Sequence, residues 1–326
     1  MPRVSIIIPA YNAMRYLPET LESAIAQSFT DFEVVIVNDG STDNIEDWFL
    51  TVEDSRARLI SQPNQGKSVA VNEGIAQTHG EYIAFLDADD LWAPTKLEAQ
   101  VACLDANPEA GLVYTWTALT DETGKATGRI VASHAEGQVW KTLLLKNFLA
   151  CGSTPLVRRQ CFEVVGLFSP ELPPAEDWDM WLRLAARYEF AVIKQPLVRY
   201  RKHADNISTN RWQQMQKSSY LVLDRAFQNA PVAFSDVYDQ AYISLYLYLG
   251  WLSIRKNAPK QALHFWRKAQ TISQTLLFWD TVRLRLTIFL LQQLGQRNYQ
   301  HLRRLGYRLR RNAIAKSIKQ INQVVC

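Results

Sequence analysis

This sequence predicts an α/β fold: a doubly wound, mostly parallel sheet over its first two hundred residues, followed by an α-helical region. Three observations carry that expectation. Continuous apolar runs at Val4 to Pro9, Glu33 to Asn38 and Tyr82 to Leu86 have the length and composition of strands buried on both faces. Segments with helical spacing separate these runs, which is the rhythm of a βαβ sheet. Gly and Pro then become sparse beyond about residue 209, where the segments read helical.

The elements follow in order. After the first run, Leu17, Leu21, Ala24 and Ile25 share one helical face, with Pro18 tolerated in the first turn. The second run breaks at Asp39-Gly40-Ser41-Thr42-Asp43, a dense turn signal. A weaker strand falls near Arg58 to Ser61, and a helix runs from about Gly66 to Thr78. Pro94 opens the next helix, marked by Leu97, Val101 and Leu104, and Gly111 to Trp116 reads as a strand. The pattern weakens from 117 to 158. A helix resumes near Glu176 with Trp178, Trp181, Leu182 and Ala185 on its apolar face, and Trp181 there reads as core. Two short strands, near Phe190 to Ile193 and Leu197 to Tyr200, close this domain near residue 209. The expected division is 1–209, with halves 1–116 and 117–209, then a helical region 210–280 and a basic tail 281–326. Leu247, Leu249, Gly250, Ala262, Phe265 and Ala269 resemble one tetratricopeptide-type unit, too few for a free-standing array.

Composition removes several classes. Hydrophobic residues make up 48% and charged residues 21%, so the chain is neither disordered nor fibrous. The net charge of +4 hides an asymmetry: ten basic residues and no acidic one follow Asp280, leaving −6 on the first 280 residues. An acidic body argues against nucleic-acid binding. The N-terminal apolar run is too short for a signal peptide, and no stretch reaches the ~20 apolar residues of a membrane span. The four cysteines lack C-x-x-C spacing, which points to a reduced, cytoplasmic setting. Neither G-x-G-x-x-G nor G-x-x-x-x-G-K-[ST] occurs, so dinucleotide and P-loop chemistry lack their phosphate cradles.

In doubly wound sheets ligands bind beyond the carboxyl ends of the strands. Those ends read Pro9-Ala10-Tyr11-Asn12, Asn38 to Asp43, and Asp87-Ala88-Asp89-Asp90. Three acidic residues within four positions repel one another, and a divalent cation would relieve that cost. Carboxylates suit Mg²⁺ or Mn²⁺, which keep waters and bridge to substrate phosphates. A solvated acidic turn is the plainer reading of D-x-D-D taken alone.

The motifs V-S-I-I-I-P-A-Y-N, V-V-I-V-N-D-G-S-T-D, the N-x-G-K-S-x-A-x-N run from Asn64 to Asn72, Y-I-A-F-L-D-A-D-D and A-E-D-W-D-M-W-L-R-L, in this order, resemble glycosyltransferase family 2 over roughly residues 3–205. The resemblance implies the GT-A fold, a Rossmann-like nucleotide half joined to an acceptor half. It also implies inverting transfer from a nucleotide-activated sugar with a divalent metal. Pro9, Ala10, Tyr11 and Asn12 would border the nucleotide, with Tyr11 against the base. Asp39 would accept a hydrogen bond from uracil, with Ser41 in the same turn. Asn64, Gly66 and Lys67 would close over base and phosphates, Lys67 donating to the diphosphate. Asp87, Ala88 and Asp89 match the D-x-D, Asp89 binding metal directly and Asp87 lying near the ribose or a metal-bound water. Glu176 and Asp177 match the acceptor-side acidic pair, with Asp177 as general base. Ala175 stands where the family often has Gly. Arg201 to Ser208 resembles the closing R-x-H-x-x-N-x-S segment, making His203 a candidate metal ligand.

The expected function is transfer of one sugar, UDP-linked, to a glycan or lipid-linked acceptor of polysaccharide biosynthesis. Processive synthases of the family carry Q-x-x-R-W and membrane helices; here Ser208 precedes Arg211-Trp212 where Gln is needed. Two rivals stand beside it. A sugar-phosphate nucleotidyltransferase needs a basic, glycine-rich loop that Pro9 to Arg15 lacks. A non-catalytic scaffold would not need intact acidic pairs. The tail interleaves its positive charges with Leu302, Leu305, Tyr307, Leu309, Ile314, Ile318 and Ile321, which suits peripheral contact with an anionic surface on the inner membrane face.

Overall fold

The computed structural model describes residues 1–204, 206, 211–228, 235–273 and 279–293. The chain forms two compact units, Met1–Val237 and Tyr238–Cys326.

The first unit is built on a nine-stranded sheet in the order β3-β2-β1-β4-β8-β6-β9-β5, with β7 paired to β6. The expected apolar runs form β1 (Val4–Ala10), β2 (Phe32–Asp39) and β4 (Tyr82–Phe85), and with edge strand β3 (Ala57–Gln62) they pair in parallel. The period-2 alternation of a strand divides their side chains between two cores. Ile6, Ile8, Ala10, Val34 and Ile36 pack with Leu17 and Leu21 of α1 (Leu17–Ile25), and with Leu97 and Val101 of α4 (Lys96–Ala106). Val35 and Val37 face the other way, onto Ala70 of α3 (Lys67–Ala76). Ile7 faces Gly74 of that helix, where a Cβ would lie 2.5 Å from the isoleucine.

The other half of the sheet is mixed. β6 (Ala110–Thr120) runs parallel to β9 (Glu189–Arg201) but antiparallel to β7 (Ala126–Val131) and β8 (Leu156–Arg158). β8 also pairs antiparallel with β4, and β5 (Leu91–Trp92) with β9. The two short strands expected after residue 189 are one strand of 13 residues, whose register to β6 shifts between Ile193 and Pro196, then again before Val198. Pro196 has no N–H for the ladder, and that gap reads as a break in sequence. α2 (Ile45–Phe49), α5 (Trp140–Leu145), α6 (Arg159–Val165), α7 (Glu176–Ala185) and α8 (Trp212–Gln228) complete the unit; α7 buries Trp178, Trp181, Leu182 and Ala185 as its spacing predicts.

In the second unit α9 (Ser235–Arg255) and α10 (Pro259–Ile272) share a core with residues 279–293 through Ile243, Leu247, Ala262, Ala269, Leu284 and Ile288. The tetratricopeptide-like positions Leu247, Ala262, Phe265 and Ala269 are buried, and a Cβ on Gly250 would meet Leu284 at 2.6 Å. Among the described residues no helix is long and apolar enough to cross a membrane. The tail from 294 onward lies outside the described residues.

One buried lysine gives a test of the fold. Lys96 is fully buried; its Nζ donates to Gln100 Oε1 at 2.6 Å and sits 3.9 Å from the Trp92 ring centroid. Burial holds its pKa well below the ordinary lysine range. Between that lowered value and the usual ~10.4, the unfolded chain binds a proton that the folded chain does not, so stability from this group rises with pH across that window. Urea unfolding of wild type and Lys96→Met at several pH values from 7 to 10 should show wild type gaining on the variant as pH rises. Parallel curves would contradict the neutral amine.

Candidate active site

The polar strand ends converge as the fold class requires. Those of β1 and β2 are stitched together: the Asn12 N–H donates to Ser41 Oγ at 3.0 Å, and the Thr42 N–H donates to Asn12 Oδ1 at 2.7 Å. Gly40 adopts φ 70°, and a Cβ there would lie 2.5 Å from the Asn64 nitrogen. Glycine alone lets residues 64–66 close against the end of β2. Tyr11 stands exposed beside this seam.

Asp39 organises the closure. Its Oδ1 accepts from Gln62 Nε2 at 2.7 Å and from the Gln65 N–H at 2.9 Å, and its Oδ2 accepts from the Gly66 N–H at 2.8 Å. The Asn64 side chain returns a bond to the Asp39 carbonyl at 2.9 Å. The carboxylate is buried, with one acceptor site left on Oδ2 by the usual two per oxygen. Gly66, at φ 91°, turns the chain into α3, so that Lys67 opens the helix and its Nζ pairs with Asp87 Oδ1 at the end of β4.

The D-A-D-D segment is held from beneath. Asp90 is fully buried: Oδ2 accepts from Ser153 Oγ at 2.6 Å and Oδ1 from the Arg201 N–H at 3.1 Å. Ser153 Oγ also accepts the Asp87 N–H at 3.0 Å, and Arg201 Nε donates to the Asp89 carbonyl at 2.9 Å. Thr20 Oγ1 sits 3.0 Å from the carbonyls of both Ala88 and Asp90. Burial, then the charge of Asp89, pushes the Asp90 carboxyl well above the usual carboxylate range. Asp90 is thus a strut. Ala10 and Ala88 turn into the hydrophobic core, so only their backbones can border a ligand.

Asp89 faces outward. Its Oδ2 lies 2.7 Å from His203 Nε2, and the His203 ring packs 4.9 Å from Tyr16. Burial and the charge of Asp87 raise the Asp89 carboxyl, while His203 pulls it back. An oxygen and a nitrogen donor side by side, on a carboxylate crowded by its neighbour, fit a small divalent cation. Such a cation takes few protein ligands and completes its shell with phosphate oxygens and water. No group of three or more His, Cys, Asp or Glu among the described residues could hold a metal by itself. Asp205, Ile207 and Ser208 of the closing segment lie outside the described residues.

The start of α7 lines the same pocket as the Asp87–Lys67 pair. Glu176 and Asp177 face into it together with Pro9 and Gly152. Burial pushes the Asp177 carboxyl up to about 7, the neighbouring Glu176 adding to the shift and Lys67 opposing it. Glu176 is raised by burial too, again against Lys67. Burial works to lower the Lys67 pKa, but Asp87, Glu176 and Asp177 outweigh it and keep the amine cationic. The structure therefore gathers Pro9, Lys67, Asp87, Glu176 and Asp177 in one pocket, places Asp89 with His203, and ties Asp39, Asn64 and Gly66 into one latch. Sequence reasoning missed Gly152 and Ser153, which lie in the segment without a clear period, and gave Asp90 no task.

Comparison with known proteins agrees with this architecture. The family described as "Glycosyl transferase family 2" matches residues 5–166. An uncharacterized glycosyltransferase of Haemophilus influenzae is 30% identical over 223 residues, covering 64% of this chain and 68% of that protein. TuaG of Bacillus subtilis, whose name assigns it to teichuronic acid biosynthesis, is 29% identical over 225 residues, covering 68% and 87%. An uncharacterized glycosyltransferase of Rickettsia felis is 33% identical over 211 residues, covering 63% of this chain and 35% of that protein. The chain thus spans about a third of the length of some curated relatives it matches. Among solved structures, S. aureus TarS 1-349 in complex with UDP-GlcNAc superposes with a TM-score of 0.56 at 17% identity, covering 91% of this chain and 93% of that one. The mannosyltransferase PcManGT from Pyrobaculum calidifontis, in complex with GDP-Man and Mn²⁺, gives 0.60 at 20%, covering 92% and 83%.

The Asp39 latch can be tested directly. Asp39→Ala leaves three donors without their charged acceptor, at about 1.5–3 kcal/mol for each such bond lost and less after relaxation. Urea denaturation should show a loss of at least ~2 kcal/mol, with new protease sensitivity near Gln65. Unchanged stability would remove the latch.

Proposed function

Because the chain belongs to glycosyl transferase family 2, we propose that it moves one sugar from a nucleoside diphosphate, UDP-linked, to a glycan or lipid-linked acceptor with inversion at the anomeric carbon. One observation carries this reading: Asp177, at the start of α7, lines one pocket with the Asp87–Lys67 pair at the end of β4. Inverting transfer needs a base and a leaving-group site at one carbon, since attack and departure occur on its opposite faces.

The residues divide the work. Asp177, with a pKa near neutrality, takes the proton of the acceptor hydroxyl as its oxygen attacks the anomeric carbon. The bond from that carbon to the diphosphate oxygen breaks on the far face, and the nucleoside diphosphate departs. Lys67 supplies positive charge to the diphosphate from the mouth of α3, whose N-terminal N–H groups favour anions. A divalent cation, Mn²⁺ or Mg²⁺, held by Asp89 and His203 and bordered by Asp87, would offset the charge developing on the leaving group. The remaining acceptor site of Asp39 Oδ2 suits the uracil N–H, with Tyr11 against the ring and Asn12, Ser41 and Asn64 shaping the seam. The UDP-GlcNAc of TarS and the GDP-Man of PcManGT support a nucleotide-sugar donor; the name of TuaG supports polysaccharide biosynthesis.

The reading extends to location: the cytoplasm, in peripheral contact with the inner membrane face through the basic tail. Its support is charge, ten cationic and no acidic side chains after Asp280. Anionic vesicles should sediment the full chain and lose it on removal of residues 297–326, with salt weakening the binding. A full chain that ignores such vesicles overturns the membrane contact.

For the chemistry, sugar transfer or donor hydrolysis with Mn²⁺ should fall about 10²–10⁴-fold in Asp177→Asn. In wild type, kcat/KM should rise with pH through about 7, where Asp177 loses its proton, and level off above. That limb should vanish from the residual activity of the variant. Undiminished transfer by Asp177→Asn would take the base away from this residue.

A further inference from the structure

The pocket has a feature that the catalytic roles leave unused. Gly152 sits on its rim, and a Cβ built there would lie 3.5 Å from Asp87 Oδ2 and 3.6 Å from Lys67 Nζ. Both are ordinary van der Waals distances, and the backbone of Gly152 is not in the left-handed range. Neither conformation nor packing requires glycine here. A Cβ here would touch both groups, so the missing side chain leaves room for about one methyl group against the Asp87–Lys67 pair, and anything larger would intrude on the pocket.

That space has fixed walls. Ser153, the next residue, is fully buried; its hydroxyl is bonded to Asp90 Oδ2 and the Asp87 N–H, and its carbonyl accepts from Trp92 Nε1 at 3.0 Å. Thr154 Oγ1 donates back to the Cys151 carbonyl at 3.1 Å. A side chain at 152 could not swing aside with its backbone. In the same lining Glu176, 8% exposed, carries a buried Oε2 with no hydrogen-bond partner. Phe85, Phe168 and Trp181 close the floor, their rings 5.3–6.3 Å apart. A rigid gap, an apolar floor and one unsatisfied acceptor are the parts of a pocket that takes a ring carrying hydroxyls.

We propose that Gly152 is a specificity-determining residue, holding open the subsite for the transferred sugar over the Asp87–Lys67 pair, and that Glu176 Oε2 accepts a hydrogen bond from one hydroxyl of that sugar. This rests on the donor transfer proposed above and goes beyond it, because it separates recognition of the sugar from recognition of the nucleotide. A side chain at 152 takes volume from the sugar alone. Loss of the Glu176 acceptor removes discrimination between sugars that differ at one hydroxyl.

The test uses the full chain as wild type, Gly152→Ala, Gly152→Val and Glu176→Met, each checked by thermal melting. Calorimetry measures UDP binding with Mn²⁺, and kcat/KM is measured for UDP-glucose, UDP-galactose, UDP-N-acetylglucosamine and UDP-xylose. Gly152→Val should keep UDP affinity within about threefold and lose about 10–200-fold in kcat/KM for the preferred donor, the span expected when a small group intrudes on a pocket. Gly152→Ala should fall between and spare UDP-xylose, which lacks the hydroxymethyl group. Glu176→Met, which removes the acceptor, should flatten the preference between UDP-glucose and UDP-galactose or between other donors that wild type separates, and an unchanged donor ranking in it overturns the role of Glu176. If Gly152→Val fails to fold, Gly152→Ala carries the test alone. An active wild type whose Gly152 variants keep its rates and donor ranking overturns the assignment, as does a loss of UDP affinity in proportion to the loss of rate. A wild type that neither binds UDP nor acts on any donor overturns the transfer reading itself.

Discussion

Asp90 is the carboxylate on which the rest of the site depends. It reaches no solvent, and it joins three parts of the chain that share no local sequence: the end of β4, the segment at Ser153 and the end of β9 at Arg201. A polar group in that position is costly unless each lone pair finds a partner, and chains of such bonds reinforce one another in a low dielectric. Here the partners are themselves engaged. Ser153 holds the Asp87 N–H, and Arg201 holds the Asp89 carbonyl and reaches Glu19 at 2.6 Å. The outward aim of Asp87 and Asp89 is thus set by backbone bonds rather than by their own charges, which would drive them apart.

The pocket above this base is a problem in charge as much as in shape. Asp87, Glu176 and Asp177 share one nearby lysine, and the two residues at the start of α7 carry pKa values raised by burial. Lys67 is therefore a counter-ion before it is a ligand for anything else. A diphosphate entering the pocket brings further negative charge and competes for the same amine. The proposed chemistry needs a second cation for that reason, and Asp89 with His203 lies where one could be held. Among the described residues that line the pocket, Lys67 is the only lysine or arginine.

The strand ends were legible because their chemistry is local. Val4 to Pro9, Glu33 to Asn38 and Tyr82 to Leu86 announce buried strands by composition, and the residues directly after each run must lie at a carboxyl end. Glu176 and Asp177 were marked by the resemblance, through A-E-D-W-D-M-W-L-R-L, and the apolar stripe behind them places the pair at a helix start. Gly152 and Ser153 were not, because they act through a three-residue strand, β8, inserted antiparallel between β4 and β6, with no period long enough to detect. The single strand β9 reads as two in sequence because Pro196 interrupts its ladder without ending it. Asp39 shows a subtler limit: its sequence context says turn, and only the structure shows three donors from residues 62–66 arriving on its carboxylate.

The bonds that brace the site join residues 63 to 114 positions apart along the chain. Loop closure over such distances comes late in folding, after local elements have formed. As the chain leaves the ribosome, the strand-end carboxylates emerge long before Ser153, Arg201 and His203. Until those arrive, Asp87, Asp89 and Asp90 lack these braces. The geometry of the acidic segment is in this way tied to completion of the domain, and a fragment ending before β9 lacks the bonds that Arg201 and His203 supply.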